Sequence, residues 1–265
     1  METAELLQQL YETPEEELLA RIARLKAELA DRVLILGHHY QREEVIRFAD
    51  YTGDSLKLAR IAADSDKPFI IFCGVHFMAE TADILTRPDQ IVILPDPNAG
   101  CSMADMADDA LVEQAWRDLG EALDVEKEVT PVVYINSSAS LKAFCGEHGG
   151  VVCTSSNAER AMRWAWARRP RILFFPDQHL GENTAVRMGV PDAEMAVWRR
   201  GAPYGGLDRA TIERTRLFLW NGYCSVHQLF QPEHVQAVRR KHPDALVLAH
   251  PECSRKVCEL ADFVG

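Results

Sequence analysis

The chain has 265 residues, of which 47% are hydrophobic and 26% are charged, as in a soluble globular protein long enough for more than one compact unit. Its 29 Lys and Arg residues against 40 Asp and Glu residues give a net charge of −11, which argues against a nucleic-acid partner. No apolar run approaches the roughly 20 residues of a membrane span. The first residues are acidic and helical without a signal-peptide core, so we expect a cytoplasmic protein with no membrane partner.

After this N-terminal helical segment, apolar runs alternate with helical stretches. Continuous runs of Val, Ile, Leu and Phe are typical of strands buried on both faces, and helices between them indicate a parallel sheet. We therefore predict an α/β fold with strands at RVLILG, PFIIFC, QIVILP, TPVVYIN, GVVCTS, RILFFP, RLFLWN and ALVLAH. Functional residues are expected in the turns at the carboxyl ends of these strands.

The polar turns repeat in a way that indicates related units. A strand, a polar triplet and a helix recur at GHHY, YINSS and HPE, a serine precedes a helix in GDSLKLA and CTSSNA, and glycine and cysteine share a turn in NAGCSM and WNGYCS. The repeat predicts a helical segment over 1–29 and α/β units over 30–125, 126–235 and 236–265. Since the third unit has its polar triplet but neither later turn, we expect it to be incomplete, as in a truncated chain.

Seven cysteines occur without any C-x-x-C pair, which gives no support to a zinc ribbon. Cys101 and Cys224 each share a turn with glycine, and the helix start that follows Cys101 favours a thiolate. We interpret both as candidate metal ligands, against the alternative of small buried thiols. The remaining cysteines are expected to pack in the core or to be poor ligands: Cys73, Cys145, Cys153, Cys253 and Cys258.

Two turns contain groups that exchange protons near neutral pH. His38 and Tyr40 follow the first buried strand, where either side chain is placed to move a proton or polarise a carbonyl. In HPE, proline fixes the turn so that His250 and Glu252 project together. The alternative for Glu252 is a favourable charge at the first turn of the following helix, without any chemistry.

Hydroxyl and amide groups fill two further turns. YINSS provides phenol, amide and hydroxyl groups that bind carboxylates or hydroxyls. The Ser and Thr residues of GDSLKLA and CTSSNA, which are Ser55, Thr154, Ser155 and Ser156, either bind an anion at a helix N-terminus or merely cap that helix. Together these turns favour an acidic small-molecule substrate, acid–base groups and a thiolate-bound metal.

The chain resembles the quinolinate synthases, the A proteins of bacterial quinolinate synthesis, from Leu34 to Gly265. The motifs that carry the resemblance are GHHYQREEVIRFADYTGDSLKLA, CGVHFMAETADIL, LPDPNAGCSMADM, YINSSASLKA, CTSSNA, FPDQHLG, LWNGYCSVHQLF and HPECSRKVCELADFVG. Residues 187–216 resemble an insertion found in one subgroup of the family. The resemblance implies an enzyme that condenses iminoaspartate with dihydroxyacetone phosphate to quinolinate for NAD biosynthesis.

The resemblance also implies an architecture and a cofactor. The fold would be a pseudo-threefold array of αβα, Rossmann-like parallel-sheet units, with the third incomplete here. A 4Fe–4S cluster would be held by cysteines, and its open iron would act as a Lewis acid on a substrate oxygen. An L-aspartate oxidase or dehydrogenase would be the partner that supplies iminoaspartate.

The resemblance also implies a role for each residue of this chain that matches a functional position of the family. Cys101 and Cys224 correspond to cluster ligands, while the third cluster cysteine is missing from this chain. Catalytic roles are implied for Glu252 as principal acid–base group and for Tyr40, His38 and His227. Substrate-binding roles are implied for His38, Ser55, Tyr134, Ile135, Asn136, Ser155, His250, Pro251 and Glu252.

Two alternatives stay open at this point. Because one cluster ligand is missing, the chain could be an inactive or cluster-free fragment of such an enzyme. The other alternative is an aldolase or hydratase that uses His38 and His39 on a single metal ion. Metal and sulfide content, together with the variant Cys101→Ser, distinguish the three possibilities.

Overall fold

The structure, a computed structural model, describes residues 9–265. The chain forms two compact units, Met1–Ala99 and Gly100–Gly265. The predicted helical segment over 1–29 lies partly outside the described residues; within them, helix α1 occupies Glu15–Glu28. None of the described helices has the length and apolar character needed to cross a membrane.

The N-terminal unit contains a four-stranded parallel sheet with strand order β2-β1-β3-β4. After α1, its elements are β1 (Val33–His38), α2 (Glu43–Ile46), β2 (Tyr51–Gly53), α3 (Ser55–Asp64), β3 (Phe69–Cys73), α4 (His76–Leu85) and β4 (Ile91–Ile93). Leu36 and Phe72 from the central strands are fully buried with Leu58 of α3, so the core lies between the sheet and its helices.

The C-terminal unit contains a five-stranded parallel sheet of order β6-β5-β7-β9-β8 and a two-stranded parallel sheet of β10 and β11. Its helices are α5 (Asp109–Gly120), α6 (Val125–Glu128), α7 (Ala139–Glu147), α8 (Ala158–Trp166), α9 (Gln178–Arg187), α10 (Arg209–Arg214), α11 (Pro232–Lys241) and α12 (Arg255–Leu260). Its strands are β5 (Val129–Tyr134), β6 (Val151–Cys153), β7 (Arg171–Phe175), β8 (Met195–Trp198), β9 (Leu217–Trp220), β10 (Leu248–Ala249) and β11 (Phe263–Val264).

The middle of the five-stranded sheet is covered on both faces. Every residue of β5 and of β9 is buried. Phe175, Phe218 and Trp220 belong to one apolar cluster with Trp116 of α5. Burying each such side chain contributes roughly 1.5–3 kcal/mol, which explains why these strands read as continuous apolar runs.

The predicted α/β fold with parallel sheets is confirmed, and each predicted apolar run contains a strand. Three strands lie outside these eight runs: β2, β8 and β11. Each lies at a sheet edge and leaves part of its surface exposed, so none shows the long apolar run of a central strand. The three sheets fall within 30–125, 126–235 and 236–265, but the division into three units and their pseudo-threefold array stay predictions.

Candidate active site

A buried carboxylate, Glu252, is the centre of the polar cluster in the C-terminal unit. The Tyr134 hydroxyl donates a hydrogen bond of 2.7 Å to Glu252 Oε1. His227 Nδ1 lies 2.9 Å from Glu252 Oε2 as an ion pair, without the geometry of a hydrogen bond. Only 3% of Glu252 is exposed, so both contacts are largely shielded from solvent.

Strand ends bring these three side chains together. Tyr134 is the last residue of β5, His227 begins a 3₁₀ turn shortly after β9, and Glu252 follows β10. Helix α9 fixes the third of these turns, because the Asn183 amide donates hydrogen bonds of 2.8 Å to the carbonyl oxygens of Pro251 and Cys253. The predicted location at the carboxyl ends of parallel strands is therefore found for this cluster.

The charges of His227 and Glu252 depend on each other. Interactions with the side chains of Cys224 and then Glu252 raise the pKa of His227 to about 10. Burial alone would raise the pKa of Glu252, but contacts with His227 and Tyr134 outweigh it and hold the pKa below its ordinary value. At neutral pH the pair is therefore an imidazolium beside a carboxylate.

His250, in the HPE turn, contacts two members of the same cluster. Its ring stacks on His227 with 4.7 Å between the ring centroids, and its Nδ1 accepts a hydrogen bond of 3.3 Å from the Glu252 backbone N–H. Burial lowers the pKa of His250, which leaves its imidazole neutral at neutral pH. Because the Glu252 side chain contacts Tyr134 and His227, its role is not limited to favouring the following helix.

The two candidate ligand cysteines lie in adjacent loops. Ser102 Oγ and Ser225 Oγ, each next to one of these cysteines, are 3.1 Å apart. Both thiols are free and half-buried. Burial raises the pKa of Cys101 in spite of the backbone N–H groups of Ala104 and Met103, so the expected thiolate at Cys101 does not form in the metal-free chain.

Three of the other cysteines, Cys145, Cys153 and Cys253, are buried. Cys145 and Cys153 are almost fully buried, and burial raises the pKa of Cys145 to about 12 and that of Cys153 further. Cys253 is 4% exposed. The packing role predicted for Cys145 and Cys153 is confirmed.

Asp177 is a site residue to which the sequence assigns no role, and Gly222 is the glycine that shares the Cys224 turn. The Asp177 side chain is fully buried and caps α9 through Leu180 N–H, and its Oδ2 has no hydrogen-bond partner. Burial and then the Glu252 charge raise the pKa of Asp177 to about 8. A Cβ at Gly222 would lie 2.2 Å from the Pro176 carbonyl oxygen, so only glycine fits beside that turn. In the sequence, FPDQHLG contributes to the family resemblance but indicates no role for its carboxylate.

Other predicted substrate-binding residues of this unit follow β5 and β6. Ile135 is buried and Asn136 is half-buried directly after Tyr134. Ser155 begins a 3₁₀ turn for which Thr154, not Ser155, provides the N-cap in a capping box with Asn157. The capping alternative for this turn is therefore confirmed for Thr154 and wrong for Ser155, whose anion-binding role stays a prediction.

The N-terminal unit has its own polar group after β1. His38 is 6% exposed, and its ring lies 3.9 Å from that of Tyr40 between centroids. Burial, followed by the charge of His39, lowers the pKa of His38 to about 4, so its imidazole is neutral at neutral pH. Ser55 is buried at the first position of α3, while the Asp54 carboxylate caps that helix. Capping by Ser55 is therefore also wrong.

One group of three metal-binding side chains occurs within residues 9–265. It consists of Cys224, His227 and Glu252, whose ligand atoms all lie within 4.8 Å of one another. The group contains neither His38 nor His39. Cys101 lies close enough to interact electrostatically with Cys224 and Glu252.

Comparison with known proteins gives the family. The model of the family "Quinolinate synthetase A protein" matches residues 20–265. The chain belongs to this family. It is 53% identical to a quinolinate synthase of Acidobacterium capsulatum over 95% of this chain and 68% of the relative. It is 54% identical to that of Herpetosiphon aurantiacus over 94% of this chain and 67% of the relative, and 49% identical to that of Anoxybacillus flavithermus over 100% and 74%.

Membership of the quinolinate synthetase A protein family confirms the resemblance seen in the sequence. The chain spans about two thirds of the length of the first two of these relatives. Residues 187–216, which resemble an insertion in the sequence, include β8 and α10 between α9 and β9. β8 pairs with the outer side of β9, and β7 and β9 are hydrogen-bonded neighbours.

Proposed function

We propose that this chain carries acid–base and metal-binding groups of a quinolinate synthase, which condenses iminoaspartate with dihydroxyacetone phosphate to quinolinate in NAD biosynthesis. The observation that carries the proposal is the buried Glu252 carboxylate, held between Tyr134 and His227 beside the Cys224 turn. The family match supports the same activity.

The charge states suggest how protons move. Glu252 is an anion and accepts a proton as general base, since condensation and dehydration both require removal of a proton from carbon. His227 is a cation and supplies a proton to a leaving oxygen. Tyr134 keeps its proton, because burial and the Glu252 charge raise its pKa well above the ordinary value, and its hydroxyl orients Glu252.

Each unit, taken by itself, has polar groups of the kind that bind a carboxylate. In the C-terminal unit we assign binding roles to Asn136, Ser155 and His250, with the neighbouring backbone of Ile135 and Pro251. In the N-terminal unit we assign them to His38 and Ser55, with Tyr40 assisting the rearrangement of the carbon skeleton. Hydroxyl, amide and imidazole donors bind carboxylates by hydrogen bonds that the substrate charge strengthens.

Cys101 and Cys224 fit the thiolate ligands of an iron–sulfur cluster. Both are free thiols in loops that meet at the Ser102–Ser225 contact, and soft thiolate donors are the ligands that iron–sulfur clusters require. When bound, a 4Fe–4S cluster with an open iron supplies a Lewis acid. By the resemblance, the chain provides two of the three cluster cysteines.

We further propose a cytoplasmic setting and a supply of iminoaspartate by an L-aspartate oxidase or dehydrogenase. Cysteines that remain free suit a reducing compartment. An imine hydrolyses in water, so its supplier is expected to operate in the same compartment.

The test is anaerobic reconstitution with iron and sulfide, followed by assays of metal content and quinolinate formation on one sample. Because the chain provides two of the three cluster cysteines, dithiothreitol is included in the reconstitution to supply the third thiolate. About four iron and four sulfide per chain are then expected, with quinolinate formed from both substrates. Cys101→Ser and Cys224→Ser should lose the iron–sulfur absorption and the activity, whereas Cys258→Ser should keep both. An unsubstituted chain without iron and without product would contradict the proposal and favour the cluster-free alternative.

A further inference from the structure

We propose that the cluster-free chain binds a single borderline divalent cation, Zn²⁺ or its analogue Co²⁺, through Cys224, His227 and Glu252. One thiol, one imidazole and one carboxylate offer ligand atoms that all lie within 4.8 Å of one another. This proposal does not depend on quinolinate synthase activity.

The donor types favour a single ion over a cluster for these three residues. Iron–sulfur clusters take thiolates, with imidazole as an occasional replacement, whereas a mixed sulfur, nitrogen and oxygen set is typical of zinc. Three protein ligands with a fourth position left for water are the pattern of catalytic zinc sites.

The ligands are held in place before any metal arrives. Cys224 and His227 are three residues apart in one turn, which the Gln228 backbone N–H closes by a hydrogen bond of 3.1 Å to the Cys224 carbonyl oxygen. Tyr134 holds one Glu252 oxygen at 2.7 Å, and Asn183 holds the backbone on both sides of Glu252. Such outer partners orient ligands and increase metal affinity.

Buried polar atoms near Glu252 lack hydrogen-bond partners within the described residues. His227 Nδ1 is buried and lies 2.9 Å from Glu252 Oε2, but its ring geometry does not make a hydrogen bond. Asp177 Oδ2 also lacks a hydrogen-bond partner. A metal ion bound by His227 would replace the proton of the imidazole and give this buried nitrogen a partner.

The experiment uses the full chain, reduced, stripped of metal and kept anaerobic, titrated with Co²⁺ and then with Zn²⁺. We expect one Co²⁺ per chain with sulfur-to-cobalt charge-transfer absorption, which Zn²⁺ abolishes by displacement. Cys224→Ser should remove the charge-transfer absorption, and Glu252→Gln should weaken binding more than tenfold. Tyr134→Phe, which removes only an outer partner, should weaken it by roughly tenfold.

Two further variants make the result decisive. Cys258→Ser is the matched control and should bind Co²⁺ like the unsubstituted chain. Cys101→Ser should keep the single ion but lose any iron–sulfur cluster, which separates this proposal from the proposed function. Circular dichroism establishes that each variant is folded. Absence of a sulfur-to-cobalt band at one equivalent, or binding unchanged in folded Glu252→Gln, would overturn the proposal.

Discussion

His227 is the residue whose protonation depends most clearly on its neighbours. Its imidazole interacts with Cys224 and with Glu252, and only the second partner is a carboxylate. The pKa of about 10 therefore reports how strongly these groups stabilise the imidazolium. Removing the Glu252 charge isolates the contribution of the carboxylate.

We expect Glu252→Gln to lower the pKa of His227 toward its ordinary value, measured by NMR titration of the ring protons. A raised pKa stabilises the folded chain fully below the unfolded value of about 6.5, and this stabilisation is lost as pH rises through about 10. The variant should therefore lose less stability on the alkaline side. Glu233→Gln, at an exposed position of α11, is the control. An unchanged His227 pKa in Glu252→Gln would refute this assignment.

Helix α9 supports two loops of the candidate site at once. Its first residue, Gln178, donates its backbone N–H to the Gly222 carbonyl oxygen at 2.9 Å. One and a half turns later, Asn183 holds the HPE turn through Pro251 and Cys253. The element therefore links the cysteine loop after β9 with the carboxylate turn after β10.

Asn183→Leu is expected to lower the free energy of unfolding. The substitution leaves the buried Pro251 carbonyl oxygen without a donor, at a cost of roughly 1–3 kcal/mol. The Cys253 carbonyl oxygen keeps only the weak Cys258 thiol donor. Urea unfolding measures the loss, and Asn98→Leu at an exposed position should change stability by no more than about 0.5 kcal/mol. Equal stabilities of the two variants would mean that α9 does not hold the HPE turn.

Gly222→Ala should displace the cysteine loop. The added Cβ would meet the Pro176 carbonyl oxygen at 2.2 Å, which no rotamer change relieves. We expect clear destabilisation and a changed rate of Cys224 alkylation. Gly146→Ala in α7 is the matched control, since its Cβ would meet nothing within 4 Å and alanine favours the helix. Similar thermal stability and alkylation rates for both variants would contradict the close approach.

At the scale of the whole molecule, the continuous apolar runs of the sequence predicted the buried strands. The polar and titratable side chains in the turns after those strands predicted candidate site residues. Glu252, His227 and Cys224 were all named from the sequence. Their mutual contacts were not, because pairing between turns distant in sequence depends on sheet order. The roles of Asp177 and Asn183 are not visible in the local sequence for the same reason: Asp177 interacts with the charge of Glu252, and Asn183 binds the backbone of the HPE turn.

We expect residues 100–265 to fold without the N-terminal unit. The five-stranded sheet, its core, and the Tyr134, His227 and Glu252 cluster all lie within Gly100–Gly265. A protein of these residues should show cooperative thermal unfolding and keep the raised His227 pKa. Non-cooperative melting, or a His227 pKa near 6.5, would show that the unit needs the rest of the chain.

The position of β8 at the edge of its sheet determines where this protein can accept inserted residues. A strand inserted between β7 and β9 would separate them, and with them Gln178 from Gly222. β8 lies outside β9, so a change next to β8 leaves that pairing intact. Gly201 is an exposed residue just beyond β8, and an added Cβ there would meet nothing within 4 Å, so it is a suitable place to insert a reporter or affinity sequence.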